Sequence, residues 1–224
     1  MPRVARSILP DYPLHVVQRG INRADCFFQD SDYLAYLRDL RAFSERFGCS
    51  LHAYCLMTNH VHLLLTPHAQ DACAWLMKQL GQCHVQRINR RLERTGTLWE
   101  GRFRSCLVAS DNYVLACYRY IELNPVRAGM VTHPEQYRWS SYSANAADLD
   151  DRHLSAHPSY QALASGTTER RQAYRVLCEQ PPPASHLEEI RKATRIGCTV
   201  GKPRRRRGRP FLLDEKNGVC PHLS

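Results

Sequence analysis

"CSLHAYCLMTNHVHLLLTP", Cys49 to Pro67, contains two β-rich runs separated only by Thr58 and Asn59, a spacing that suits a tight antiparallel connection. Alternation along the second strand sends His60, His62 and Leu64 to one face and Val61, Leu63 and Leu65 to the other. Two imidazoles on one strand face need a reason, because an unpaired buried polar group costs about 1–3 kcal/mol. A pair of surface histidines on a half-exposed strand is the plain alternative. The apolar density around them argues instead for a central strand, whose histidine face must meet a ligand or partner. A divalent cation is one such partner, since neutral imidazole is a common metal ligand.

Outward from this hairpin the chain alternates strands and helices. "LHVVQRG" (14–20) reads as a strand running into a glycine turn. "SDYLAYLRDLRAFSERFG" follows as a helix, with Ser31 as N-cap and Gly48 as the stop. After the hairpin a helical pattern occupies roughly 70–94, and "GRFRSCLVA" (101–109) reads as another strand. The order β-α-β-β-α-β is the ferredoxin-like arrangement, an α+β fold with helices on one face of an antiparallel sheet. An added helix over about 111–123 starts behind Ser110 or Asp111 and closes at Asn124, because the residue before Pro125 avoids the helical region. Three segments follow from this reading: a main domain over 1–147, a helical extension over 148–197, and a basic tail over 198–224 that is disordered when free.

Bulk properties narrow the function. The net charge of +10 is uneven: from Arg191 to Ser224 there are ten Lys/Arg against two Asp/Glu, which leaves a surplus of only two in the first 190 residues. A smaller basic cluster, Arg87, Arg90, Arg91 and Arg94, falls at helical spacing. Both favour a polyanion, nucleic acid above all. Ten cysteines without a CxxC pair suggest buried thiols in a reducing compartment rather than a zinc knuckle or a disulfide scaffold. No apolar run approaches the ~20 residues needed to span a bilayer, and the first fifteen residues lack a signal-peptide core. The expected location is cytoplasmic and nucleoid-associated, with no membrane partner.

"CYRYIELNPVRAG", Cys117 to Gly129, supplies a second set of polar groups. On a helix Tyr120 and Asn124 share a face, whereas Tyr118 points about 200° away from Tyr120. Taken alone, these tyrosines read as aromatic core.

The blocks "HVVQRGINRADCFFQD", "LHAYCLMTNHVHLLLTP", "INRRLERTGTLWEGRFRSCLV", "YIELNPVRAGMV" and "YRWSSY" change that reading. In order and spacing, over about residues 10–145, they resemble the REP-associated tyrosine transposases, within the single-tyrosine HUH transposases. The resemblance implies a metal-dependent endonuclease and strand transferase of single-stranded hairpin DNA, working through a 5′-phosphotyrosine. It makes Tyr120 the nucleophile, His60 and His62 the metal ligands, Asn124 a third ligand, and Mg²⁺ or Mn²⁺ the cofactor. A non-cleaving, domesticated binder of hairpin DNA or RNA is the alternative, and a phosphohydrolase that uses water is a weaker one. Monomer and homodimer both remain open.

Two residues depart from the pattern of many relatives: Thr58, where proline is common, and Glu122, where histidine is common. Glu122 is expected to be peripheral. Trp99, Phe103 and Trp139 are expected to pack rather than stack on bases, and Arg102 and Arg104 to contact phosphate or solvent. In the tail, Lys202, Arg204, Arg205, Arg206, Arg207 and Arg209 surround "RGRP" (207–210), which looks like an AT-hook for A·T-rich duplex DNA.

Overall fold

The computed structural model describes residues 8–147, 149, 151, 153–180 and 182–201. Strand β1 (Leu14–Arg19), helix α1 (Asp30–Arg46), strands β2 (Cys49–Met57) and β3 (His60–Pro67), helix α2 (Ala72–Arg91) and strand β4 (Arg104–Leu107) follow in the β-α-β-β-α-β order expected. The sheet runs β2-β3-β1-β4, and every neighbouring pair is antiparallel. The chain is α+β. Strand β4 is shorter than the expected 101–109 because Gly101, at φ +104°, breaks the extended backbone before it.

Alternation divides the sheet into two chemically different faces. Leu14 and Val16 on β1, Val61, Leu63 and Leu65 on β3, and Leu56 on β2 are buried, with α1 and α2 packed against this side. Truncating one of these leucines to alanine would cost about 2–5 kcal/mol. The opposite face carries His15, Val17 and Arg19 of β1 beside His60 and His62 of β3 and Arg104 of β4, because Val17 pairs with His62 on one side and with Arg104 on the other. Helix α1 begins at Asp30, one residue before the expected Ser31 cap. Gln29 is its N-cap, in a reciprocal capping box with Asp32, whose carboxylate accepts from the Phe28 and Gln29 amides.

Beyond β4 the chain forms α3 (Asp111–Glu122), the single turn α4 (Asn124–Arg127), and α5 (Tyr142–Ala146), α6 (Pro158–Gln161), α7 (Thr167–Glu179) and α8 (Ala184–Ile196). Helix α3 packs over β2 and β3, and α8 over β4 and β1. Helices therefore cover both faces of the sheet, not one. The boundary expected near residue 147 is not a structural one: α8 packs against the sheet, and Val200, inside the segment assigned to the tail, donates its amide to Leu107 and accepts from Ala109. At the other edge β2 is bonded by Trp139, Ser141 and Ser155 of the returning chain. Among the described residues no helix is long and apolar enough to cross a membrane, and the cysteines are free thiols, mostly buried.

Glu122 is a correction. It is fully buried, and its carboxylate accepts from Ser141 Oγ at 2.5 Å, Asn145 Nδ2 at 2.7 Å and the Tyr174 hydroxyl at 2.6 Å, tying α3 to α5 and α7. Helical geometry put it off the Tyr120 face, as expected, but that direction points into the core. Trp99, Phe103 and Trp139 are buried, and Trp139 stacks on Tyr33 at 4.5 Å.

Burial lifts the Glu122 carboxyl to about 7, against the pull of its three donors. The folded state then holds a proton that the unfolded chain has already lost, so this residue makes stability fall as pH rises from the carboxylate range to about 7. Glu122→Gln removes the titration. Urea midpoints should show the variant gaining on the wild type between about pH 5 and about pH 8; a difference that stays flat would mean the carboxyl is ionised throughout.

Candidate active site

A cavity of about 820 Å³ opens on the histidine face and is lined by β1, β3, β4, α3, α4 and α8. His60 and His62 share its wall with ring centroids 4.9 Å apart, as the HxH alternation requires. Tyr120 comes from the last turn of α3, and Asn124 follows across a break at Leu123. The structure thus brings Tyr120, His60, His62 and Asn124 to one cavity. Tyr118 points away, is fully buried, and accepts from the His157 amide.

Tyr120 is held on all sides. Its ring stands edge-on to His15 and His62, at 5.5 and 5.6 Å, and the Arg127 guanidinium lies 4.6 Å over it while also donating to the Tyr120 carbonyl. A second guanidinium, Arg191 of α8, lies 5.9 Å from the same ring. The hydroxyl itself makes no hydrogen bond among the described residues.

Each histidine has one ring nitrogen engaged. His60 Nδ1 lies 2.6 Å from Asn59 Oδ1, and His62 Nδ1 lies 2.9 Å from His15 Nε2. Neither Nε2 has a hydrogen-bond partner among the described residues. Burial, with Arg19 nearby, lowers the His60 pKa to about 4; burial, aided by His60 and His15, lowers that of His62 well below its usual value. Both rings are neutral at physiological pH, the form that binds a metal. His15 is a third imidazole in the cluster, but both of its nitrogens are occupied, by His62 and by Thr194. The groups left to hold a cation would be the two imidazole Nε2 atoms, with Asn124 beside them in the same cavity. Among the described residues no set of three His, Cys, Asp or Glu side chains is grouped to hold one.

The rim is cationic. Among the described residues Arg19, Arg23, Arg102, Arg104, Arg191 and Arg195 line the cavity with one carboxylate, Glu100. Arg23 and its neighbour Asn22 are in the left-handed region, at φ +60° and +53°, strain of a kind often concentrated at functional sites. Thr58 holds this loop against the β2–β3 turn, its carbonyl accepting from the Cys26 and Phe27 amides.

Arg102 and Arg104 thus reach the cavity. Arg87 and Arg91 do not: they pair with Asp39 at 2.5 Å and Asp32 at 2.8 Å, clamping α2 to α1 on the other side of the sheet. Arg90 is exposed on the same helix. Lys202, Arg204, Arg205, Arg206, Arg207 and Arg209, with the AT-hook-like segment, lie outside the described residues.

Sequence reasoning passed over His15, Arg19, Arg127, Arg191, Thr194 and Arg195. His15 and Arg19 carried a signal, since they occupy alternate positions with Val17 on one strand. Arg191, Thr194 and Arg195 also fall on one helical face, but nothing local says which face meets the sheet.

A family profile described as "Transposase IS200 like" matches residues 9–124, more than half of the chain, and ends at Asn124. The chain belongs to the IS200-like transposase family. A relative from Haemophilus influenzae, described as a REP-associated tyrosine transposase, is 27% identical over 123 residues, which cover 50% of this chain and 70% of that protein. A solved structure of a REP-associated tyrosine transposase bound to a REP hairpin superposes with a TM-score of 0.54 at 15% identity, covering 71% of this chain and 93% of that one. At that identity the likeness speaks for the fold alone. Helix α8, with three cavity-lining residues, lies outside the family match.

The six rim arginines carry a binding prediction. Replacing Arg191 and Arg195 together by alanine should weaken binding of a single-stranded oligonucleotide and lower its salt slope by about one log unit or more per decade of salt. An unchanged slope in a salt titration would place the backbone elsewhere.

Proposed function

We propose that this protein is a REP-associated tyrosine transposase that cuts and rejoins single-stranded DNA at hairpin sequences. The observation that carries the reading is the convergence of Tyr120, His60, His62 and Asn124 on one arginine-rimmed cavity. The family supports a transposase, and the hairpin named for the solved relative supports the class of DNA.

Bound by His60 and His62 through Nε2 and by Asn124 through its amide oxygen, a divalent ion such as Mg²⁺ or Mn²⁺ would supply charge neutralisation to the scissile phosphate. The chain's own residues do the rest. Arg19, Arg102, Arg104, Arg191 and Arg195 draw the strand in and fix its phosphates. His15, His62 and Arg127 leave the Tyr120 ring little freedom, so its hydroxyl oxygen is presented in one place. Arg127 also sets a positive charge over the ring while holding the Tyr120 carbonyl. Tyr120 Oη forms a bond to phosphorus while the bond to the 3′-oxygen breaks, leaving a 5′-phosphotyrosine and a free 3′-hydroxyl. Attack by another 3′-hydroxyl reverses the exchange. One phosphoester replaces another, so joining needs no nucleotide cofactor.

The test is incubation with single-stranded hairpin oligonucleotides from the DNA flanking the gene, with Mg²⁺ or Mn²⁺, followed by a denaturing gel. A covalent protein–oligonucleotide adduct is expected. Tyr120→Phe should abolish adduct and cleavage with binding nearly intact, whereas Tyr118→Phe should retain both activities. EDTA, His60→Ala or His62→Ala should stop cleavage, with Asn124→Ala milder. Binding without any adduct across the panel would favour the non-cleaving alternative, and cleavage without an adduct would favour water as the nucleophile.

A further inference from the structure

The hydrogen bonds behind His62 have a direction that can be deduced by counting protons. Thr194 has one hydroxyl hydrogen, and it is donated back along α8 to the Ile190 carbonyl at 2.8 Å. In its 2.9 Å contact with His15 Nδ1 the Thr194 oxygen therefore accepts, so His15 carries its hydrogen on Nδ1. The Cys106 thiol, 3.2 Å from the same oxygen, is then a further donor. His15 is buried and, among the described residues, bonded to no carboxylate, so its ring is neutral and its Nε2 is a bare lone pair. That lone pair faces His62 Nδ1 at 2.9 Å, which must carry a hydrogen. His62 Nε2 is left with a lone pair, on a ring that lines the cavity.

His60 shows the same polarity by a separate route. Asn59 Nδ2 donates to the Arg23 carbonyl at 3.0 Å, which orients the amide and leaves Oδ1 to accept from His60 Nδ1 at 2.6 Å. Both histidines thus offer Nε2, one set by the turn beside it and the other by a helix that belongs to the C-terminal part of the chain.

We propose that Thr194 and His15 are positioning residues, a relay from α8 that locks His62 in the Nδ1–H tautomer and aims its Nε2 at a divalent cation. The proposal rests on the metal site put forward above. It makes α8, outside the family-matched stretch, a working part of the centre. Hydrogen bonds of this kind to a ligand's far nitrogen fix the ring and raise its basicity.

Two measurements on the full chain test it. Long-range ¹H–¹⁵N correlation spectra of the metal-free protein should show His62 protonated at Nδ1; protonation at Nε2 overturns the relay without reference to any metal. Mn²⁺ titrations followed by electron paramagnetic resonance should show binding to Thr194→Val weakened by about 10- to 100-fold, with Thr194→Ser near the wild type and circular dichroism unchanged. Equal Mn²⁺ affinity in a folded Thr194→Val protein overturns the proposal. Failure of the wild type to bind Mn²⁺ would overturn the metal reading instead, and the tautomer measurement would still decide the relay. Should Thr194→Val not fold, that same measurement on the wild type decides it.

Discussion

Everything at the site depends on the register of β1 between β3 and β4. Val17 lies opposite both His62 and Arg104, and this pairing fixes the relative positions of His15, Arg19, His60 and His62. A slip of one residue would turn β1's histidine and arginine into the packed face and bring Val16 and Gln18 to the cavity. The apolar alternation of Leu14, Val16, Val61, Leu63 and Leu65 penalises such a slip at every position. The hydrophobic core thus specifies the polar geometry without any of its atoms entering the cavity.

The electrostatics have a corresponding division of labour. Burial keeps the imidazoles neutral, with nearby arginines adding to the effect, while guanidinium groups stand at the rim. A polyanion is attracted over a long range by the rim, and the lone pairs beneath it are kept unprotonated by desolvation. The rim draws its arginines from β1, β4, the connecting segments and α8 alike.

What could be read from sequence divides by range. The strands and helices up to residue 123 were legible because period-two and period-3.6 patterns are local, and Tyr120 was separated from Tyr118 by helical geometry alone. Glu122 was half legible: its direction followed from the helix, but the donors waiting there come from Ser141, Asn145 and Tyr174, as many as 52 residues away. The role of α8 was invisible for a similar reason, since the His15–Thr194 bond joins residues 179 apart. Arg87 and Arg91 looked like phosphate contacts because a basic helical stripe says nothing about carboxylates on the helix it will meet.

The returning chain bonds both margins of the sheet. A β-sheet margin with free amides and carbonyls is a template for another chain's strand. Here the segments around Trp139, Ser141 and Ser155 hem β2, and Val200 hems the end of β4. Continuous strand addition would first have to peel away one of these hems, so self-association by sheet extension requires partial unfolding.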